Sequence, residues 1–247
     1  MSKVERVLTG ALARVPAGAS RREFLRLAGL LGGAVAFAAC DDGDEITGGG
    51  ETGGPVTLNF AQPLDVLRYA FALEALEADF YTRVVANAAF ATAFASAAER
   101  QLLTDVRDHE IAHREFFRAA ITAAGGTLPT LTTRYPSTVN LGDRGSVLAT
   151  ARTFEDLGVA AYNGAGRYLV SRPELLTLAG KIVSVEARHA SAIRDLLAPN
   201  TDRFANVSDL AALGANEALG LDAKATPTQV LAAAQPFIAQ SLTATGV

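Results

Sequence analysis

The stretch KIVSVEARHASAIRDLL (181–197) sets Glu186 and His189 into the same row as Leu175, Ala179, Ile182, Ile193 and Leu196 when read at helical spacing. Alternating steps of four and three residues mark the stripe that a packed helix turns towards the core, so this row carries a carboxylate and an imidazole inward. An ionised carboxylate in a dry interior costs several kcal/mol unless a partner compensates it. Any fold for this chain must supply that partner.

Three other segments repeat the oddity. Leu103, Val106, Glu110, His113, Phe117 and Ala120 form a second row with Glu-x-x-His at its centre. Leu67, Ala70, Glu74, Glu77, Tyr81 and Leu148, Ala151, Glu155, Gly158, Tyr162 form two more, both reading Leu, Ala, Glu, any residue, Tyr. The offsets, 81 residues from Glu74 to Glu155 and 76 from Glu110 to Glu186, describe a helical hairpin that has been duplicated. Each copy contributes one Glu, one Glu-x-x-His and one Tyr.

The spacing predicts four long helices over roughly 64–89, 97–124, 146–170 and 172–198. Ser96 with Glu99 and Ser171 with Glu174 have capping-box spacing, Pro173 suits a first helical turn, and Gly125-Gly126 closes the second helix. Short connections join the first pair and the second pair, whereas the 21 residues of 125–145 include two prolines and fit a chain crossing the length of a bundle. Beyond Asn200, short helices are expected near 208–219 and 227–242, with Thr226 and Gln229 as another capping box and a break at Pro236. With hydrophobic residues at 49%, abundant alanine and no stretch of strand alternation long enough to build a sheet, the expected class is all-α. The expected units are a bundle over 56–200 and a helical tail over 201–247 packed on it.

Four carboxylates and two imidazoles converging in a core would repel and be poorly solvated unless cations lie between them. Two divalent ions neutralise four carboxylates, and a Glu and His three residues apart share one helix face, so one metal takes both. This pattern matches that of di-iron and di-manganese carboxylate bundles. The expected ligands are Glu74, Glu110, His113, Glu155, Glu186 and His189, with Glu110 and Glu186 bridging. Glu77, one turn after Glu74 and opposite Gly158 in the duplicate, is either a seventh ligand or an acid that lies behind the ligands or is partly solvated. Tyr81 and Tyr162 are candidates for relaying electrons or protons, weighed against plain aromatic packing with a satisfied hydroxyl. His109 lies beside the ligand row and reads as an exposed or hydrogen-bonding residue.

The N-terminus reads differently. Lys3, Arg6, Arg14, Arg21, Arg22 and Arg26 lead into an uncharged run of 13 residues from Leu27 to Ala39, too short to span a bilayer and suited to a signal-peptide core. SRREFLRLAGL (20–30) resembles the twin-arginine export motif, whose pathway carries folded proteins. The single cysteine, Cys40, closes AFAAC in the manner of a bacterial lipobox, which implies an acyl anchor to the membrane; cleavage at Ala36-Phe37-Ala38 is the alternative. Residues 40–55 are rich in glycine and acids and read as a flexible tether. Six of the 22 basic and two of the 26 acidic residues lie in 1–39, so the processed chain has a net charge of −8, which disfavours nucleic acid as a partner.

ALEALEADFY (72–81), FEDLGVAAYNGA (154–165) and IVSVEARHASAIR (182–194) resemble the ferritin-like superfamily, in the branch that includes plant desiccation-related proteins and bacterial exported ferritin-like proteins. The resemblance covers about 58–197 and implies a four-helix bundle with one long crossover between helices two and three and a dimetal centre. Many members carry Asp directly before the Glu of Glu-x-x-His, where this chain has His109 and Val185. The leading expectation is an exported periplasmic or cell-envelope oxidoreductase that uses paired iron to act on O2, peroxide or ferrous iron in stress defence. The alternatives are a di-manganese catalase and a non-catalytic, lipid-anchored structural or desiccation-stress protein. The sequence leaves oligomeric state open, a homo-oligomer included.

Overall fold

A computed structural model of the chain describes residues 53–247. The export segment 1–39, Cys40 and most of the tether 40–55 therefore lie outside the described residues. The described elements run β1 (Val56–Asn59), α1 (Pro63–Ala86), α2 (Phe90–Ala93), α3 (Ala97–Ala123), α4 (Arg144–Ala165), α5 (Pro173–Leu197), α6 (Pro227–Ala234) and β2 (Leu242–Thr245), with short 3-10 turns between them.

The molecule is mostly helical, and its four long helices pair as two hairpins, α1 against α3 and α4 against α5. Local chemistry sets their ends. Pro63 starts α1, where its missing N–H costs no helical bond. That helix stops at Ala86 rather than continuing to 89, because the Asn87 side chain accepts from the N–H of Ala89 at 2.9 Å and turns the chain into the short α2. Ser96 caps α3 by accepting from the Glu99 N–H, but the box is only half closed, since the Glu99 carboxylate is taken by Arg144 at 3.0 and 2.9 Å. Gly125, at φ 78°, ends α3 as expected. Asp143 caps α4 two residues earlier than expected, and α4 gives way to a 3-10 turn over Gly166–Leu169. The capping box expected at Ser171 and Glu174 is not formed: α5 starts after Arg172, which makes no side-chain cap bond.

The crossover between the hairpins is held rather than loose. Tyr135 and Thr133 both donate to Asp79 Oδ2, at 2.8 and 2.7 Å, and Arg134 N–H donates to the Phe237 carbonyl at 2.8 Å. The tail is fixed to the bundle by a close approach at Gly164, where an added Cβ would fall 1.7 Å from the Ala225 carbonyl oxygen, so no larger residue fits. There Ala225 N–H donates to the Ala160 carbonyl at 3.0 Å. A buried ion pair, Arg194 with Asp156 at 2.8 Å, adds a bond from Arg194 to the Asn206 carbonyl. In the tail, the Thr226–Gln229 capping box is present and α6 ends before Pro236, while the expected helix near 208–219 is instead two 3-10 turns.

A small sheet departs from the all-helical expectation. β1 and β2 pair in parallel, Val56 with Leu242 through Asn59 with Thr245. Each strand has four residues, and only Leu58 of β1 is buried, so neither displays an alternation that a sequence pattern would register.

The core is built from the predicted rows. Tyr81, Leu103, Leu148, Ala151 and Ile193 of those rows are fully enclosed, and Phe80 and Ile121 join them from outside the rows. Burial of each large apolar side chain contributes about 1.5–3 kcal/mol. That apolar packing holds four carboxylates in the middle of the bundle, with Glu74, Glu110, Glu155 and Glu186 all at 0% exposure.

Candidate metal centre

The duplicated hairpin delivers its polar residues to one place. His113 Nδ1 lies 3.0 Å from Glu186 Oε1, 3.2 Å from Glu74 Oε2 and 3.4 Å from Glu110 Oε2. In the other half, His189 Nδ1 lies 2.7 Å from Glu110 Oε1, 3.4 Å from Glu155 Oε2 and 3.9 Å from Glu186 Oε2. The donors fall into two overlapping groups, Glu74, Glu110, His113, Glu186 and Glu110, Glu155, Glu186, His189, each with its ligand atoms within 4.8 Å of one another. Glu110 and Glu186 belong to both.

These contacts are close in distance without being hydrogen bonds. Glu74 Oε2, both oxygens of Glu110 and of Glu186, Glu155 Oε2 and the Nδ1 atoms of His113 and His189 are buried and have no hydrogen-bond partner. A ring nitrogen carries at most one proton, yet each of these two faces three carboxylates. Ligand atoms bonded to one cation at about 2.1 Å in octahedral geometry lie about 3 Å apart. The spacing and the orphaned lone pairs therefore suit a bound cation, whose charge would also offset the buried carboxylates.

Each outer glutamate is held from the opposite hairpin. The Tyr81 hydroxyl donates to Glu155 Oε1 at 2.5 Å, and the Tyr162 hydroxyl donates to Glu74 Oε1. Both tyrosines are thus core residues with committed hydroxyls, each reaching from one hairpin to the other. Burial and the adjacent carboxylates push both phenols well above their ordinary range, so they act as donors and stay protonated.

The electrostatics are those of an anionic core that captures protons when no cation is there. Burial, followed by the Glu186 charge, raises Glu110 to about 8. Burial opposes charge on His189, but Glu155 and its other carboxylate neighbours overcome that and raise it to about 12; His113 is raised by Glu74 in the same way. Burial also works against the charge of Glu186, and the close approach and positive charge of the two imidazoles, His113 first, reverse the balance, lowering it to about 2. Glu77 is 3% exposed and stays outside both donor groups; burial and four neighbouring glutamates, Glu186 foremost, raise it well above the carboxylate range. Its space comes from Gly158, where a Cβ would be 3.2 Å from Glu77 Oε1.

His109 is the hydrogen-bonding residue, rather than the exposed one, of the two readings the sequence allowed. It is half-buried, its ring stacks on His189 at 5.2 Å between centroids, and its Nδ1 pairs with His189 Nε2 at 2.9 Å. With Nδ1 of His189 turned to the carboxylates, Nε2 is the atom left to carry the proton, which His109 accepts. His109 thereby supplies a hydrogen-bond partner behind a candidate ligand. The signal was present in HEIAH (109–113), a spacing that in some hydrolases puts both histidines on one zinc. Here the two rings address different partners, and His109 is in neither donor group.

Residues 62–199 match the family model described as a ferritin-like domain. No curated protein matches the chain.

Proposed function

Because the chain belongs to the ferritin-like domain family, we propose that its buried cluster holds two metal ions, iron above all, and that the protein is an oxidoreductase acting on O2, peroxide or ferrous iron. The observation that carries this reading is the set of buried carboxylate and imidazole atoms left without hydrogen-bond partners at ligand spacing. Glu74 and His113 would serve one ion, Glu155 and His189 the other, and Glu110 and Glu186 both. Bound there, a redox-active pair would supply the one-electron chemistry of the reaction. The protein's own residues orient and insulate: Tyr81 and Tyr162 hold the outer glutamates by their hydroxyl protons, His109 holds the Nε2 proton of His189, and the apolar rows exclude bulk water. Because the ligands carry extra protons when no cation is bound, uptake must release protons, and apparent affinity rises with pH.

Metal analysis of protein matured in its native host is the test. Iron at about two ions per chain is the expected result for a carboxylate-rich bundle of this type. Manganese with oxygen evolution from peroxide would replace the iron reading by a catalase, and the lack of both metals would remove the oxidoreductase.

For location, we propose export by the twin-arginine route and anchoring through acylated Cys40, supported by the residues around Arg21-Arg22 and by AFAAC. Mass spectrometry of the membrane fraction should find a lipid-modified Cys40 at the new N-terminus, and Cys40→Ala should shift the protein to the soluble fraction.

A further inference from the structure

A cavity of about 30 Å³ lies between the four long helices, lined by residues including Ala70 of α1, Phe117 and Ala120 of α3, Ala161 and Tyr162 of α4, and Leu178 of α5. Alanines at Ala70, Ala120, Ala161, Ala165 and Ala179 contribute to its wall. Since one water needs about 10–15 Å³ of such space, the cavity suits a body of two or three atoms. Ala70 precedes Glu74 by four residues and Phe117 follows His113 by four, so the cavity adjoins the cluster at about 6 Å along the bundle axis. Tyr162 belongs to both: its ring lines the cavity and its hydroxyl is given to Glu74. The other end reaches the α4–α5 turn, where Gly166 lines the wall and exposed Leu176 and Val170 lie near the surface.

The walls are almost wholly apolar. A peroxide or a water entering would give up its hydrogen bonds, and apart from the unpartnered Tyr69 hydroxyl there is little to replace them. Dioxygen, two atoms with no hydrogen-bonding demand, meets neither penalty.

We propose that this cavity is a binding site for dioxygen next to the metal cluster, which makes O2 rather than a peroxide the oxidant of the site. The proposal rests on the oxidoreductase reading above and selects within it. It also accounts for alanines from all four long helices meeting within about two turns of the ligands.

The experiment has two arms. In metal-free protein under dissolved O2, the methyl groups of Leu73 and Leu178, both on the cavity wall, should show stronger paramagnetic relaxation than that of the exposed Val170. Ala120→Leu should abolish that enhancement by filling the space, and Ala120→Val, a milder change, should reduce it should the larger residue fail to fold. In the iron-loaded protein, either variant should slow oxidation of bound ferrous ions by O2 several-fold and leave oxidation by hydrogen peroxide unchanged. No methyl enhancement in the wild type overturns the site, and equal effects of the variants on O2 and peroxide overturn its role. A wild type that shows the enhancement and takes up no iron refutes instead the oxidoreductase reading on which the choice of oxidant rests.

Discussion

The two hairpins bring identical donors to the centre in unlike surroundings. Glu74, Glu110, His113 and Tyr81 of the first answer to Glu155, Glu186, His189 and Tyr162 of the second, and each tyrosine reaches across to the other hairpin's glutamate. The copies differ at two neighbouring positions. The first has Glu77 where the second has Gly158, and the first has His109 where the second has Val185. The two hairpins thus share their candidate ligands while the residues behind them differ. Groups that must meet a common cation are tied to one another, whereas a residue behind a ligand needs only to tune it.

The largest break in this comparison comes from the shared ligands. Glu186→Ala or Glu110→Ala removes a donor from both groups and should take metal uptake to near zero. Glu74→Ala and Glu155→Ala each touch one group and should leave a partially loaded protein. Metal content after dialysis, measured on folded variants checked by circular dichroism, decides it; equal loss in all four variants would mean a single indivisible site.

A second test uses pH to separate the two central glutamates. A buried acid whose pKa is raised from about 4.5 to about 8, as for Glu110, contributes stability that is full below the lower value and lost as pH rises through the higher. His189, raised to about 12, acts in the same direction over a higher window. Glu186, lowered to about 2, does the opposite, contributing above its ordinary value and losing it as pH falls towards 2. Metal-free protein should therefore lose a few kcal/mol between about pH 5 and pH 9, since each tenfold change in proton affinity between the folded and unfolded chain is worth about 1.4 kcal/mol. Thermal melting with chelator should show Tm falling across that range, by about 2–4 °C per kcal/mol. Glu110→Gln should flatten the slope and Glu186→Gln should not.

The His109 difference predicts a smaller, one-sided effect. Loss of a hydrogen-bond partner behind a ligating histidine costs about 10–100-fold in metal affinity. His109→Ala should weaken the step that loads the His189 side by that amount, and His109→Asp should restore it. Val185→Ala should leave the His113 side unchanged. Cobalt titration followed by absorption reads both steps; equal weakening of both by His109→Ala would show that the halves are not independent.

The four ligand rows were legible in the sequence because every one of their residues recurs at helical spacing, a local signal that needs no knowledge of the fold. The bundle, the crossover and the inward direction of the six candidate ligands follow from it. What escaped was fixed by distant partners. The pairing of β1 with β2 joins residues 186 apart, as from Thr57 to Thr243, and each strand is too short to advertise itself. Ser171 had the right neighbour for a cap, yet the 3-10 turn before it shifted the helix start to Pro173. His109 was read as an exposed or hydrogen-bonding residue, but its partner, His189 on another helix 80 residues on, was not legible.

The smallest effect concerns Glu77 and Gly158, and it asks whether the first copy's extra acid depends on the second copy's missing side chain. Replacing a mid-helix glycine by alanine ordinarily stabilises by about 1 kcal/mol. At Gly158 the new Cβ would lie 3.2 Å from Glu77 Oε1, closer than side chains usually come, and at an ordinary 3.5 Å from Glu186 Oε2, so Glu77 must retreat by a few tenths of an ångström within a packed core. Gly158→Ala should accordingly be neutral or destabilising by up to about 1 kcal/mol in the wild-type background. In a Glu77→Ala background the obstruction is gone, and the same substitution should stabilise by about the helix-propensity amount. Urea unfolding of the four metal-free proteins at one pH closes the cycle. If Gly158→Ala stabilises equally with and without Glu77, the glycine was never making room for the acid, and the two copies diverged at these positions independently.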